Sequence, residues 1–417
     1  MKITVRPSAI NGKVVAPPSK SLTQRAIAAG LLASGTTVIS NASFCNDSLS
    51  AIKMAASLGA IVSTDKDIIT VQAGLSSASP VTLHCGESGL ALRMFAPIAS
   101  ALGSRTIFTG EGSLTKRPVG MIGEALSQLG VTVTTENGFL PLTICGKLNG
   151  GNAVIDGSTG SQLLTGLLMA LPLLKSDSEL TVHHLKSRPY ISLTVQLLSD
   201  FGIKVENHDF KRFVIPGNQH YRAHEYTVEG DWSGAAFLLV AGAVGGEVTV
   251  TNLRCDSAQA DRMVLDAFVR AGVKVTKQDN QVRVAKSDLK AFTFDATDCP
   301  DLFPPLAALS SYCRGISRIK GAGRLVHKES NRAKAIIQVL NAMHINAYIV
   351  EDSMFIEGGE VSGTGVSSHN DHRIVMMEAV MALGCRGEVG ITGTEAVNKS
   401  FPEFFDTLVT LGAVIAQ

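Results

Sequence analysis

A short phrase, apolar–Gly–apolar–x–apolar, returns along this chain at a fixed interval, and any fold must accommodate it each time. It reads LGAIV around Gly59, LGVTV around Gly130, FGIKV around Gly202, AGVKV around Gly272 and LGAVI around Gly412. The first four copies lie about 70 residues apart. The longer gap between Gly272 and Gly412 leaves room for one more, which MHINA supplies with His344 in the glycine's place. A second phrase keeps the same beat: GTTVIS from Gly35, GSRTIFTG from Gly103, SELTVHH from Ser178, GEVTVTN from Gly246, GISRIKG from Gly315 and GEVGITG from Gly387. Ser19, Ser88, Ser158, Asp231, Asp301 and Asp371 each stand before a long aliphatic run, and all are residue types that cap helix N-termini. The period exceeds that of ordinary solenoid units, so each copy holds strands and at least two helices.

A helix that is apolar on every side is a buried one, and six of them exceed what a single core needs. A chain of 417 residues is long enough for two cores. The expected fold is therefore α/β (α+β), with two domains of three repeats, each packing buried parallel helices under sheets. Residues 19–228 form the first domain and residues 1–18 plus 229–417 the second. The crossings fall near Pro18 and near Glu229–Gly230, where VEGD opens the fourth helix.

Charge narrows the partners. Lys and Arg number 37 against 36 Asp and Glu, so no excess of either sign speaks for nucleic acid or a membrane surface. The seven cysteines never fall in CxxC spacing, which reads as a reducing compartment without a disulfide frame or zinc site. The start, MKITVRPSA, alternates like a strand and lacks a signal-peptide core. No run of about 18 apolar residues occurs. A cytoplasmic monomer acting on small molecules is the expectation.

The chemistry begins in PPSKSLTQR. Two prolines precede Ser19, an N-cap type, and Lys20 and Arg25 are the only charges on the aliphatic helix that follows. Free N–H groups and the positive end of the helix dipole, beside Lys20, Ser21 and Arg25, suit an anion. The second repeat opens with CGESGLALR, where Gly89 permits close approach to the backbone, and continues to Lys116 and Arg117 in TKRPVG. The third places Ser161 and Gln162 at a helix start and later Ser187, Arg188 and Tyr190 in SRPY. The fifth has Asp301 in CPDLFPP, then Lys328, Glu329 and Arg332 in HKESNR; the sixth has NDHR, with Asp371 and Arg373, and NKSFPEFF, with Lys399.

Taken singly, each has a plain explanation. Lys328 and Arg332 at i,i+4 read as a solvated basic face, Glu329 as a partner for Arg332 at i,i+3, and Asp301 and Asp371 as caps. Together they are harder to dismiss, because Lys20, Arg25, Arg93, Arg117, Lys328, Arg332, Arg373 and Lys399 stand at or near corresponding helix ends of separate repeats. If those ends converge, a nearly neutral protein concentrates cations for a ligand with several phosphate or carboxylate groups.

The phrases PSKSxTxR, KRP, SQxLTxLLM, SRPY, VEGD, PD, KESxR, NDHR and NKSFP, in that order, resemble those of the 5-enolpyruvylshikimate-3-phosphate synthases, the enolpyruvyl transferases of the shikimate pathway. The resemblance runs from Lys2 to the C-terminus. It implies two domains of three similar units, with the N-terminal strand completing the second. It also implies that Lys20, Ser21, Arg25, Ser161, Ser187, Asp301 and Lys328 hold shikimate 3-phosphate. Lys20, Gly89, Arg117, Gln162, Arg332, Arg373 and Lys399 would surround phosphoenolpyruvate, with Tyr190 and Glu329 completing the cleft. Three departures stand out. Glu87-Ser88-Gly89-Leu90-Ala91 replaces the usual Asn-Ala-Gly-Thr-Ala, Gly160 replaces a serine, and Arg324 stands where Asn is frequent; they bear on affinity and inhibitor response.

The implied reaction needs a general base for the sugar hydroxyl, a general acid at C3 of phosphoenolpyruvate, and cations throughout. Asp301 is the candidate base, with Glu329 and Lys20 the candidates for proton traffic at C3. No metal or organic cofactor is implied, since no ligand cluster has suitable spacing. The nearest rival is the same fold acting on UDP-N-acetylglucosamine. That family resembles this chain in its repeats but usually carries a cysteine where EGSLTKRP stands, and no Cys lies between Cys85 and Cys145. A non-catalytic anion-binding repeat protein would keep the cations without needing Asp301 and Glu329. Neither GxGxxG nor GxxxxGK[ST] occurs, which excludes a dinucleotide or P-loop enzyme.

Overall fold

The computed structural model describes residues 1–74, 80–103, 105–326 and 328–416. Ser104 and His327, which fall in the GSRTIFTG and HKESNR phrases, lie outside the described residues. The chain divides into two compact units, Met1–Pro17 with Glu229–Gln417, and Pro18–Val228.

Among the described residues, one sheet pattern occurs six times. Val81–His84 runs parallel to Thr106–Thr109, which pairs antiparallel with Phe139–Cys145, and that strand pairs antiparallel with Thr132–Glu136 at the far edge. The sheet of Asn152–Asp156, Ser178–His183, Arg212–Ile215 and Glu206–His208 repeats this arrangement. So does that of Thr293–Asp295, Gly315–Lys320, Ser353–Gly358 and Ala347–Val350. The parallel pair is what a strand–helix–strand crossover produces, and the last two strands form a hairpin.

In the remaining sheets the chain borrows strands. Ile10–Val15 immediately precedes the helix Lys20–Leu32, yet pairs parallel with Gly246–Thr251, a strand of its own unit, while that helix belongs to the other. Glu225–Thr227 precedes the helix Trp232–Gly245 and pairs parallel with Thr36–Ser40. The first and fourth repeats have thus exchanged leading strands. The sixth sheet is closed by the N-terminus, Lys2–Arg6 lying between Val389–Thr392 and Val414–Ala416.

Each repeat buries one helix. All residues of Trp232–Gly245 and of His372–Ala382 are buried, as are most of Gly89–Leu102 and Gln162–Ala170. Ser19, Ser88, Asp231 and Asp371 cap their helices through the side chain. Two expected caps do not. Ser158 is held in the preceding turn, its N–H and hydroxyl both donating to Asp156, and the third helix begins after Ser161. Asp301 lies inside a 3-10 turn, Pro300–Leu302, and the helix Phe303–Ser310 begins behind it. Its carboxylate is engaged by cations instead.

The glycines of the repeated phrase share a physical reason. Gly59, Gly130, Gly202, Gly272 and Gly412 have φ between +79° and +105°, the left-handed conformation that ends a helix. His344 adopts it too, at φ +63°.

Candidate functional site

In the Pro18–Val228 unit, side chains at the helix starts tie three repeats together. Lys20 Nζ donates to Asp47 Oδ2 at 3.0 Å, and Asp47 is buried in the first turn of the neighbouring helix. Sequence reasoning missed this partner; its one sequence signal is an acidic first turn at Asn46–Ser57. Arg25, 2% exposed, donates to the Ser21 carbonyl at 2.8 Å, Thr194 Oγ1 at 3.0 Å and Thr165 Oγ1 at 3.4 Å. Burial pushes its pKa down to about 10, against the opposing influence of Tyr190 and Tyr226. A guanidinium buried among neutral acceptors keeps its charge for an anion.

Gly89, Arg93, Arg117 and Gln162 meet at one point. Arg93 Nη1 donates to Gln162 Oε1 at 3.0 Å and to the Gly89 carbonyl at 3.3 Å, and Nη2 reaches the Pro118 carbonyl. A methyl on Gly89 would lie 2.8 Å from Arg93 Nη1 and 3.2 Å from Arg117 Nη1. Ser88 Oγ donates to Gln24 Oε1, joining the second repeat to the first. Ser161 is buried at the N-cap position of its helix. Ser187 sits at another in a left-handed conformation, φ +58°. Such a conformation costs a non-glycine residue roughly 1–3 kcal/mol and tends to mark functional sites. Tyr190 follows one turn on, its carbonyl accepting from Thr194 Oγ1.

In the other unit, Asp301 is surrounded. Its Oδ1 accepts from Arg332 Nη1 at 2.8 Å and Lys328 Nζ at 3.4 Å, and Oδ2 lies 3.2 Å from Arg373 Nη2. Burial alone would raise this carboxyl, but Arg373, Lys328 and Arg332 outweigh it and hold the pKa well below the usual carboxylate range. Arg332, fully buried, also donates to Glu329 Oε2 at 2.6 Å and to both oxygens of Asp371. Asp371 thereby caps its own helix and binds Arg332 at once. Lys328 is lowered by burial, with Asp301 opposing. Arg373 Nη1 is buried and, among the described residues, has no hydrogen-bond partner. Lys399, also buried, ends the 3-10 turn Thr394–Lys399.

Asp261, which sequence reasoning missed, belongs to the same electrostatic group. It is fully buried, and Ser233 Oγ donates to its Oδ2. Burial first, then the charge of Asp301, pushes its pKa up to about 7. Two neighbouring carboxyls are thus driven in opposite directions, the pattern by which acid and base roles are separated. Among the described residues, no group of three or more His, Cys, Asp or Glu is placed to hold a metal ion.

Residues 5–408 match the EPSP synthase family, described as 3-phosphoshikimate 1-carboxyvinyltransferase. Among curated relatives, the 3-phosphoshikimate 1-carboxyvinyltransferase of Clostridium kluyveri is 37% identical over 419 residues, covering 100% of this chain and 98% of the relative. That of Clostridioides difficile is 35% identical over 429 residues, with the same coverage. Among solved structures, an EPSP synthase from Acinetobacter baumannii superposes with a TM-score of 0.84 at 25% identity, both chains covered in full.

Proposed function

The chain belongs to the EPSP synthase family, and from that premise we propose that it transfers the enolpyruvyl group of phosphoenolpyruvate to the 5-hydroxyl of shikimate 3-phosphate, as a cytoplasmic monomer. Within the Pro18–Val228 unit, Lys20, Ser21, Arg25, Ser161 and Ser187 are assigned to shikimate 3-phosphate, and Lys20, Gly89, Arg117 and Gln162 to phosphoenolpyruvate. Within the other unit, Asp301 and Lys328 are assigned to the former, and Arg332, Arg373 and Lys399 to the latter.

The observation that carries this reading is the grip of Lys328, Arg332 and Arg373 on Asp301. A carboxylate so held is a poor base while no ligand is bound. An anion that engages Arg373 and Arg332 shares their charge and raises the proton affinity of Asp301. Arg373 Nη1 is a buried donor ready for such an anion. Basicity then appears when substrate is in place.

Asp301 takes the proton of the 5-hydroxyl as its oxygen attacks C2, and Glu329 or Lys20 protonates C3. The tetrahedral adduct loses phosphate and the C3 proton to give the enol ether. The cations stabilise carboxylate and phosphate throughout. Phosphate release should require phosphoenolpyruvate together with shikimate 3-phosphate. Release with UDP-N-acetylglucosamine as acceptor instead would replace this reading by that of its nearest rival, and no release with either acceptor would favour a binding protein.

A further inference from the structure

The carboxylate of Glu87, two residues before Gly89, accepts the backbone N–H of Ser113 at 3.0 Å and the Ser113 hydroxyl at 2.7 Å. Ser113 Oγ in turn accepts from Arg117 Nη2 at 3.1 Å. An ionised carboxylate can only accept. It takes the one hydroxyl proton of Ser113, so the hydroxyl's lone pairs are left for the guanidinium. The direction of the relay is fixed from Arg117 through Ser113 to Glu87. A neutral Asn side chain, which can donate as well as accept, would not impose that order.

The loop is shaped around this contact. Gly112 has φ +54°, and a side chain there would overlap the Glu87 carboxyl group. The Glu111 N–H donates to the Gly86 carbonyl at 2.9 Å, fastening the same two segments through the backbone. Arg117 itself is 7% exposed, so its direction depends on what holds it.

We propose that Glu87 is a positioning residue, which orients Arg117 through Ser113 for phosphoenolpyruvate. The inference rests on the assignment of Arg117 to that substrate. Loss of one link in such a relay is worth about one hydrogen bond, or roughly a five-fold change in affinity.

Steady-state kinetics on the full-length E87A, E87Q, S113A and R117A variants, with the E87A/S113A double variant, test it. E87A and S113A should each raise the KM for phosphoenolpyruvate about five-fold, leaving kcat and the KM for shikimate 3-phosphate within about two-fold. The double variant should be no worse than the worse single one, because both substitutions break one chain. E87Q, which keeps an acceptor oxygen, should fall between wild type and E87A. A phosphoenolpyruvate KM unchanged in E87A and S113A but raised in R117A would overturn the role of Glu87 while sparing that of Arg117. A parallel rise of both KM values together with lost thermal stability in E87A would overturn it in favour of a merely structural role. An unchanged KM in R117A would remove the assignment of Arg117, and this proposal with it. Should E87A fail to fold, S113A, which deletes a single hydroxyl, carries the same comparison.

Discussion

Arg332 and Asp371 face each other through two hydrogen bonds, Nε to Oδ2 at 2.9 Å and Nη2 to Oδ1 at 3.1 Å, and both side chains are wholly buried. The pair joins the fifth repeat to the sixth and leaves the remaining nitrogen of Arg332, Nη1, for Asp301. A buried ion pair of this kind fixes geometry more than it stabilises the fold. It aims a fixed positive charge at the candidate base.

The first prediction follows from that aim. D301N preserves the shape of the side chain and removes its charge, so turnover should fall by at least ~10²-fold, as for loss of a general base. Arg332 and Arg373 would be released from a competing carboxylate, so the KM for phosphoenolpyruvate should not rise. Near-normal turnover in steady-state assays would take Asp301 out of the base role.

At Gly89 the prediction is steric. A methyl group would meet Arg93 Nη1 at 2.8 Å and Arg117 Nη1 at 3.2 Å, so both guanidiniums must move. G89A should raise the KM for phosphoenolpyruvate. It should raise the inhibition constant of glyphosate, a longer molecule that by the family resemblance takes the same place, by a larger factor. Parallel titrations that return equal factors would show that Gly89 does not line that place.

Glu378 lies wholly buried in the helix His372–Ala382, and neither of its carboxyl oxygens has a hydrogen-bond partner among the described residues. Burial pushes its pKa up to about 9 from the usual 4.5. The folded protein therefore keeps a proton that the unfolded chain releases above pH 4.5. Stability from this group is complete below that pH and declines as pH rises toward 9. E378M, similar in size and without charge, should raise Tm relative to wild type, and by more at pH 8 than at pH 5. Melting curves that give an equal gain at both pH values would contradict this.

His344 pays the strain that five glycines avoid. At φ +63° a side chain costs about 1–2 kcal/mol relative to glycine. H344G should therefore stabilise the protein, by about 1 kcal/mol or less once the greater freedom of glycine in the unfolded chain is included. Urea denaturation measures it, and a lower midpoint for H344G would show that the imidazole has contacts worth more than the strain.

Much of the fold was legible because its signals are local and periodic. Each phrase glycine marks a left-handed helix end, and each aliphatic run marks a helix buried on all sides. The strand exchange was not legible. Nothing in the sequence of Ile10–Val15 or Glu225–Thr227 says which strand each will pair with. Caps were misread where a stronger partner took the side chain: Asp156 holds Ser158 in its turn, and cations hold Asp301. At the candidate site, charge and spacing singled out cations, while several of their partners escaped notice. Asp47 lies 27 residues from Lys20, and Ser113 lies 26 from Glu87. Contacts at that separation follow from how helix starts and turns of one repeat pack together, which the sequence carries only in aggregate.

In the proposed reaction a carboxylate and its cations move protons on and off substrate atoms while an enolpyruvyl group changes hands. Reaction in D2O, followed by NMR of the product's vinyl methylene, puts the protonation of C3 to the test. Addition–elimination protonates C3 and later removes a proton from the same carbon, so deuterium should enter the vinyl group as phosphate is released. Product formed with full phosphate release and an undeuterated vinyl group would mean that C3 was never protonated, and the role given to Glu329 or Lys20 at that carbon would fall.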